Sequence, residues 1–139
     1  MTISSKFFQK QTFDPIIIKR YFNKARHELD LGKDSKWPEI QFTQAYKALI
    51  RIGITLMATL DYRVKSQEGH HIVIIDNLAE MLGDKKINTI GDDMRIKRNI
   101  DWYGDSIPTT EQEAKMYLNF AEEVIKKAEE YLTKQKRLF

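Results

Sequence analysis

Apolar residues recur three and four positions apart along most of this chain, which is the period of amphipathic helices. Ile18, Tyr21, Phe22, Ala25 and Leu29 place one apolar face on a first helix. Asp14-Pro15 opens it, because the carboxylate can cap free amides and the proline lacks an N–H only where none is needed. Gly32 is the expected stop. After the polar link 33–36, Trp37-Pro38 opens a second helix. Its main face is Phe42, Ala45, Tyr46, Leu49, Ile52, Gly53, Leu56, Met57 and Leu60. Ala48, Ile50, Ile54 and Ala58 widen that face, which predicts a central helix wrapped by its neighbours. Gly53 costs about 1 kcal/mol against alanine in mid-helix, so the close approach of another helix is the expected reason for it.

A polar link over 61–69 leads to a third, shorter helix opened by His70 and His71. Its apolar set is Ile72, Ile75, Leu78, Ala79 and Leu82, and Gly83 closes it. A fourth helix is predicted over 87–103, weakened near its start by Gly91 and ended by Gly104 and Pro108. The last helix has the clearest start: Thr110 and Glu113 form a capping box. Unbroken periodicity then runs from Ala114 to Leu132. Glu122–Lys126 and Glu123–Lys127 are i,i+4 pairs in the favourable order. Lys134, Lys136 and Arg137 place positive charge at the helix C-terminus, where it complements the dipole. Residues 1–13 carry Phe7, Phe8 and Phe13 without a period, and are expected as a loose arm docked by its aromatics. The pattern predicts an all-α, antiparallel up-down bundle of four to five helices, in a single domain over 1–139.

Composition narrows the function classes. The chain has 139 residues, 42% hydrophobic and 31% charged, a globular balance with enough length to bury a core. It has no cysteine, which excludes disulfides and thiolate metal sites. The uncharged run 52–60 is far below the roughly 20 residues of a membrane helix, and no signal peptide is expected. A cytoplasmic protein without membrane contact is the expectation. The net charge of +3 carries little weight, because nucleic-acid binding rests on clustered charge. His27 lies off the apolar face of the first helix, as a solvated histidine. The adjacent His70 and His71 project about 100° apart and are poorly placed to chelate one ion. They are expected to order the preceding link, or to present one ring to a ligand pocket. No cofactor motif or metal site is expected.

Candidate chemistry concentrates between Met94 and Asp105. Met94, Arg98 and Trp102 form one helical row; Arg95, Asn99 and Tyr103 form the next. Lys97 and Arg98 are both within pairing reach of Asp101. One reading is structural: aromatics anchor the helix end and the charges form a solvated network worth about 0–1 kcal/mol per pair. The other is a site for a planar phosphorylated ligand, with arginine forked onto phosphate and tryptophan or tyrosine stacked on a base.

Arg98-Asn99, then Asp101-Trp102-Tyr103-Gly104-Asp105, a Pro-Thr-Thr-Glu link and an Ala-Glu-Glu-rich last helix resemble the C-terminal half of the HEPN superfamily (higher eukaryotes and prokaryotes nucleotide-binding domain). Gln44-Ala45-Tyr46-Lys47-Ala48 and Gly69-His70-His71 resemble its N-terminal half. The resemblance implies a helical bundle that forms homodimers across a cleft between motif helices. It also implies an RNA or nucleotide ligand and a minimal nucleotidyltransferase partner in a toxin–antitoxin pair. Many relatives are metal-independent RNases marked by an arginine followed four to six residues later by histidine. Here Arg98 and Asn99 match the first half, but Tyr103 stands where that histidine is expected. Tyrosine, with a pKa near 10, is a poor base at neutral pH. The expectation is therefore a ligand-binding protein in which Arg98 and Asn99 meet phosphate, with Arg95 a further ligand-binding residue. Asp101, Trp102 and Tyr103 would shape the pocket beside His70 or His71. The alternatives are an RNase using Arg98 with Tyr103 or a histidine of Gly69-His70-His71, and a non-catalytic dimeric scaffold.

Overall fold

The computed structural model describes residues 3–102, 104 and 107–135; for Asp101 and Trp102 it describes the helical backbone alone. Five helices make up an all-α bundle: α1 (Pro15–Asp34), α2 (Pro38–Thr59), α3 (His70–Leu82), α4 (Lys85–Trp102) and α5 (Glu111–Lys134). Two three-residue strands, β1 (Phe8–Lys10) and β2 (Tyr62–Val64), pair antiparallel with Phe8 opposite Val64. Neither strand was expected, because three residues are too few to display a period of two. The segment read as a loose arm is thus held by β1, and it docks by aromatics as expected: Phe8 and Phe13 are buried.

The helix ends follow their local chemistry. Asp14 Oδ1 accepts from the amide of Ile16 at 2.8 Å. In the capping box the Glu113 amide donates to Thr110 Oγ1 at 3.1 Å and the Thr110 amide to Glu113 Oε1 at 3.0 Å. Gly83 ends α3 in the left-handed region at φ 63°. Gly32, expected as a stop, instead lies inside α1 and is buried. A Cβ there would meet Gln44 Cβ and Leu118 Cδ2, each at 3.0 Å, so this glycine admits α2 and α5 rather than ending its helix. α4 starts two residues earlier than its apolar pattern predicts; Asp84 accepts from the Lys86 amide at that end.

α2 is the central member, touching α1, α3, α4, α5 and β2. Phe42, Leu49, Ile52, Leu56 and Met57 are almost wholly buried along it. Each contributes about 1.5–3 kcal/mol before chain entropy is subtracted. The expected close approach at Gly53 is made by α3: a Cβ there would lie 2.3 Å from Ile74 Cγ2. Gly91 of α4 has the same role for the next residue of α3, where a Cβ would lie 2.9 Å from Ile75 Cγ2. Consecutive isoleucines thus seat α3 between α2 and α4 on two glycines. His71 lies one turn before these isoleucines on α3, while Tyr46 lies two turns from Gly53 on α2 and Arg98 two turns from Gly91 on α4.

The ion pairs predicted along α5 are replaced by pairs between elements. Glu122 meets Arg26 and Lys33 of α1. Glu123 meets Lys86 at 3.0 Å, and Lys127 meets Asp84. Packing brings opposite charges across the helix boundaries, and these partners win over neighbours one turn along the same helix. Of the basic tail, Lys136 and Arg137 lie outside the described residues.

Candidate functional site

Two cavities meet at His71 and Arg98. The larger, about 560 Å³, runs along α2. Two i,i+4 rows of that helix build it. Phe42, Tyr46, Ile50 and Ile54 make an apolar floor, and Thr43, Lys47 and Arg51 make a polar rim, with His71 and Arg98 opposite. The smaller, about 390 Å³, lies between the α3 start and α4, where Gln67, Glu68, His70, His71, Arg95, Arg98 and Asn99 line it. Among the described lining residues, the α2 cavity has three cations and no carboxylate, and the second has Glu68 as its one acid.

The imidazole between them is held from behind. Tyr46 Oη lies 2.8 Å from His71 Nδ1, with the rings 5.6 Å apart. Tyr46 is almost fully buried, and that burial pushes its hydroxyl up to about 12, against the pull of Arg98 and Arg95. Burial also draws His71 down to about 4, and the positive charges of His70, Arg98 and Arg95 add to the effect. Both groups are therefore neutral at pH 7. In the tautomer with the proton on Nδ1, His71 donates to Tyr46 and its Nε2 presents a lone pair; in the other, Tyr46 donates to Nδ1 and Nε2 presents an N–H. The neighbouring His70 ring, 4.4 Å away, bonds through Nδ1 to the Gln67 carbonyl at 2.5 Å, which orders the link as expected.

The arginines are likewise steadied by carboxylates. Asp92 Oδ1 lies 3.7 Å from Arg95 Nε, and Glu28 Oε1 lies 3.3 Å from Arg51 Nε. Neither contact has hydrogen-bond alignment, since both Nε groups are buried without a hydrogen-bond partner. They attract by charge and leave donors available to a ligand. Lys97 sets its Nζ 5.3 Å from the Phe42 ring centre, a cation–π contact at the edge of the core; the side chain of Asp101, within its pairing reach by spacing, lies outside the described residues.

Of the residues singled out in the sequence, Arg95, Arg98, Asn99, His70 and His71 come together here. Tyr103 and the side chains of Asp101 and Trp102 lie outside the described residues. Tyr46, Lys47, Arg51 and Glu28 were missed. Tyr46 reads as core in an apolar stripe, and only its hydroxyl hinted at a partner. The row Thr43-Lys47-Arg51 beside the apolar row was the available signal for the rim. Among the described residues no group of three or more His, Asp or Glu side chains could hold a metal ion. No helix among them is long and apolar enough to cross a membrane.

No protein-family model, curated protein or solved structure matches this chain.

Proposed function

We propose that the chain binds a nucleotide or RNA through a phosphate held at Arg98 and His71, as a HEPN-like helical protein. The observation that carries this reading is the convergence of His71 from α3 and Arg98 from α4 on the wall shared by both cavities. A guanidinium forks onto phosphate oxygens, and a neutral imidazole and Asn99 add hydrogen bonds without further charge. The resemblance adds a homodimer and a minimal nucleotidyltransferase partner of a toxin–antitoxin pair to the same proposal. Size measurement in solution and co-purification of the two chains test that part.

A second reading has its own support. In this reading His71, which lines both cavities with Arg98 and has its Nδ1 2.8 Å from Tyr46 Oη, takes the part of the histidine absent from the Arg98 motif. As a metal-independent RNase, His71 Nε2 takes the 2′-OH proton while the 2′ oxygen attacks phosphorus. The P–O5′ bond breaks, the 5′ oxygen takes a proton from solvent, and a 2′,3′-cyclic phosphate remains. Arg98 offsets charge on the phosphorane. Burial is the larger cause of the low His71 basicity, and a bound phosphate relieves only the part due to His70, Arg98 and Arg95.

Wild type, Arg98→Ala and His71→Ala decide between these readings, assayed for RNA binding and for cleavage with excess chelator. Binding that Arg98→Ala weakens by about tenfold or more supports the ligand site. Cleavage by wild type that both variants lose establishes the RNase. A wild type that neither binds nor cleaves overturns both readings and leaves a scaffold.

A further inference from the structure

We propose a second anion subsite at Lys47 and Arg51, so that the ligand is a single-stranded polynucleotide segment presenting at least two phosphates rather than a lone mononucleotide. This rests on the reading that a first phosphate sits at Arg98 and His71.

Three observations carry it. First, Arg51 is anchored from behind. Glu28 is buried, with its Oε1 3.3 Å from Arg51 Nε and 3.8 Å from Lys24 Nζ. The Nε edge of Arg51 is buried, yet its side chain is 42% exposed overall and lines the α2 cavity. A guanidinium has five donors, so a contact at one edge orients it and leaves others for a ligand. The pair also tethers α1 to α2, but a contact without hydrogen-bond alignment is a weak tether, and a buried carboxylate is costly to maintain for that alone.

Second, the spacing suits a strand. Lys47 and Arg51 are i,i+4 neighbours on one face. Arg51 lies one turn beyond Lys47, about 6 Å along the helix axis, and both line the cavity that His71 and Arg98 also line. The apolar floor at Ile50 and Ile54 runs alongside this interval. A base face can lie on such a floor without sequence-specific hydrogen bonds.

Third, the groove does not end at the first phosphate. His71 and Arg98 wall both cavities, so a chain bound there has room on either side. A pocket closed at that point would suit a terminal phosphate instead.

The test compares uridine monophosphate with an oligouridylate of about eight residues, over a salt series, on wild type, Lys47→Ala and Arg51→Ala. The oligomer is expected to bind wild type at least about tenfold tighter than the monophosphate. Each variant should remove most of that gain and lower the salt slope by about 0.7, one phosphate contact's worth for a single strand. Monophosphate binding should fall much less than oligomer binding in both. Lys47 is exposed, so Lys47→Ala leaves the Glu28 anchor intact and separates lost contact from lost fold. Equal affinity for the two ligands in wild type, or a length gain that survives both substitutions, overturns the second subsite. Monophosphate binding that depends on Arg98 but shows no length gain removes this inference alone. Binding of neither ligand removes the preceding reading with it.

Discussion

Two clusters of positive charge in this molecule are treated in opposite ways. On the α1–α5 side, Arg26 and Lys33 converge on Glu122. Burial alone would raise the Glu122 carboxyl, but hydrogen bonds from both cations outweigh it and hold the pKa below its ordinary value. Arg26 is raised in turn, first by its hydrogen bond to Glu122. On the α2–α3–α4 side, Lys47, Arg51 and Arg98 wall a cavity whose described lining offers no carboxylate. There the acids stand behind the bases, as Glu28 does behind Arg51 and Asp92 behind Arg95. The first arrangement is closed and its output is stability. The second keeps positive potential facing solvent, which a stability role does not need and an anionic ligand does.

The most forceful way to break the contrast is Gly53→Val. Its branched side chain collides with Ile74, which seats α3, so a loss of roughly 1–3 kcal/mol or more is expected in denaturant unfolding. Because α3 carries His71, RNA binding should fall with it even under conditions where the variant stays folded. The Glu122 cluster, which joins α1 to α5, should keep its ion pairs.

A pair of substitutions sharpens the contrast further. Glu122→Gln leaves two cations facing a neutral amide and should lower stability by about 1 kcal/mol, discounted for the exposure of Arg26 and Lys33. It should leave RNA affinity intact. Arg98→Ala should do the reverse, changing unfolding free energy by less than about 1 kcal/mol while weakening RNA binding about tenfold or more. Equal effects of both on binding would sink the division into a closed and an open cluster.

The smallest expected effect is in pH. His71 has its folded pKa depressed to about 4, below the ordinary value of 6.5. The folded state therefore resists a proton that the unfolded chain accepts, so the contribution is complete above about 6.5 and is lost as pH falls toward 4. Thermal melts of His71→Gln should lack that acid slope. Tyr46, raised to about 12 from 10, works in the other direction: its contribution is lost as pH rises from 10 toward 12. If the wild-type and His71→Gln melts run parallel between pH 7 and 4.5, the imidazole is not held neutral by its surroundings.

The two clusters also mark how far residue order can be read. Both consist of side chains whose partners are remote in sequence: Arg26 with Glu122, Tyr46 with His71, Glu28 with Arg51. Helical spacing correctly grouped Arg95, Arg98 and Asn99 on α4. It predicted Glu122–Lys126 and Glu123–Lys127 along α5, and there it failed because α1 and α4 bring competing charges closer. Gly32 illustrates the same limit. A glycine at the end of an apolar face looks like a stop, and only the approach of Gln44 and Leu118 shows that it clears space instead.

Local chemistry by itself determined the five helices, the capped starts at Asp14 and Thr110, the central place of α2, and the tight contact at Gly53. Each depends on neighbours within a few residues, or on an apolar face broad enough to admit only one environment. Tertiary structure alone decided that β1 reaches β2, and that Tyr46 is a hydrogen-bond partner as well as a core residue. It also decided that His71 of α3 and Arg98 of α4 line the same two cavities. That outcome depends on two glycines, Gly53 and Gly91, letting consecutive isoleucines draw α3 between α2 and α4. Such a three-body contact leaves no period in the sequence from which it could have been read.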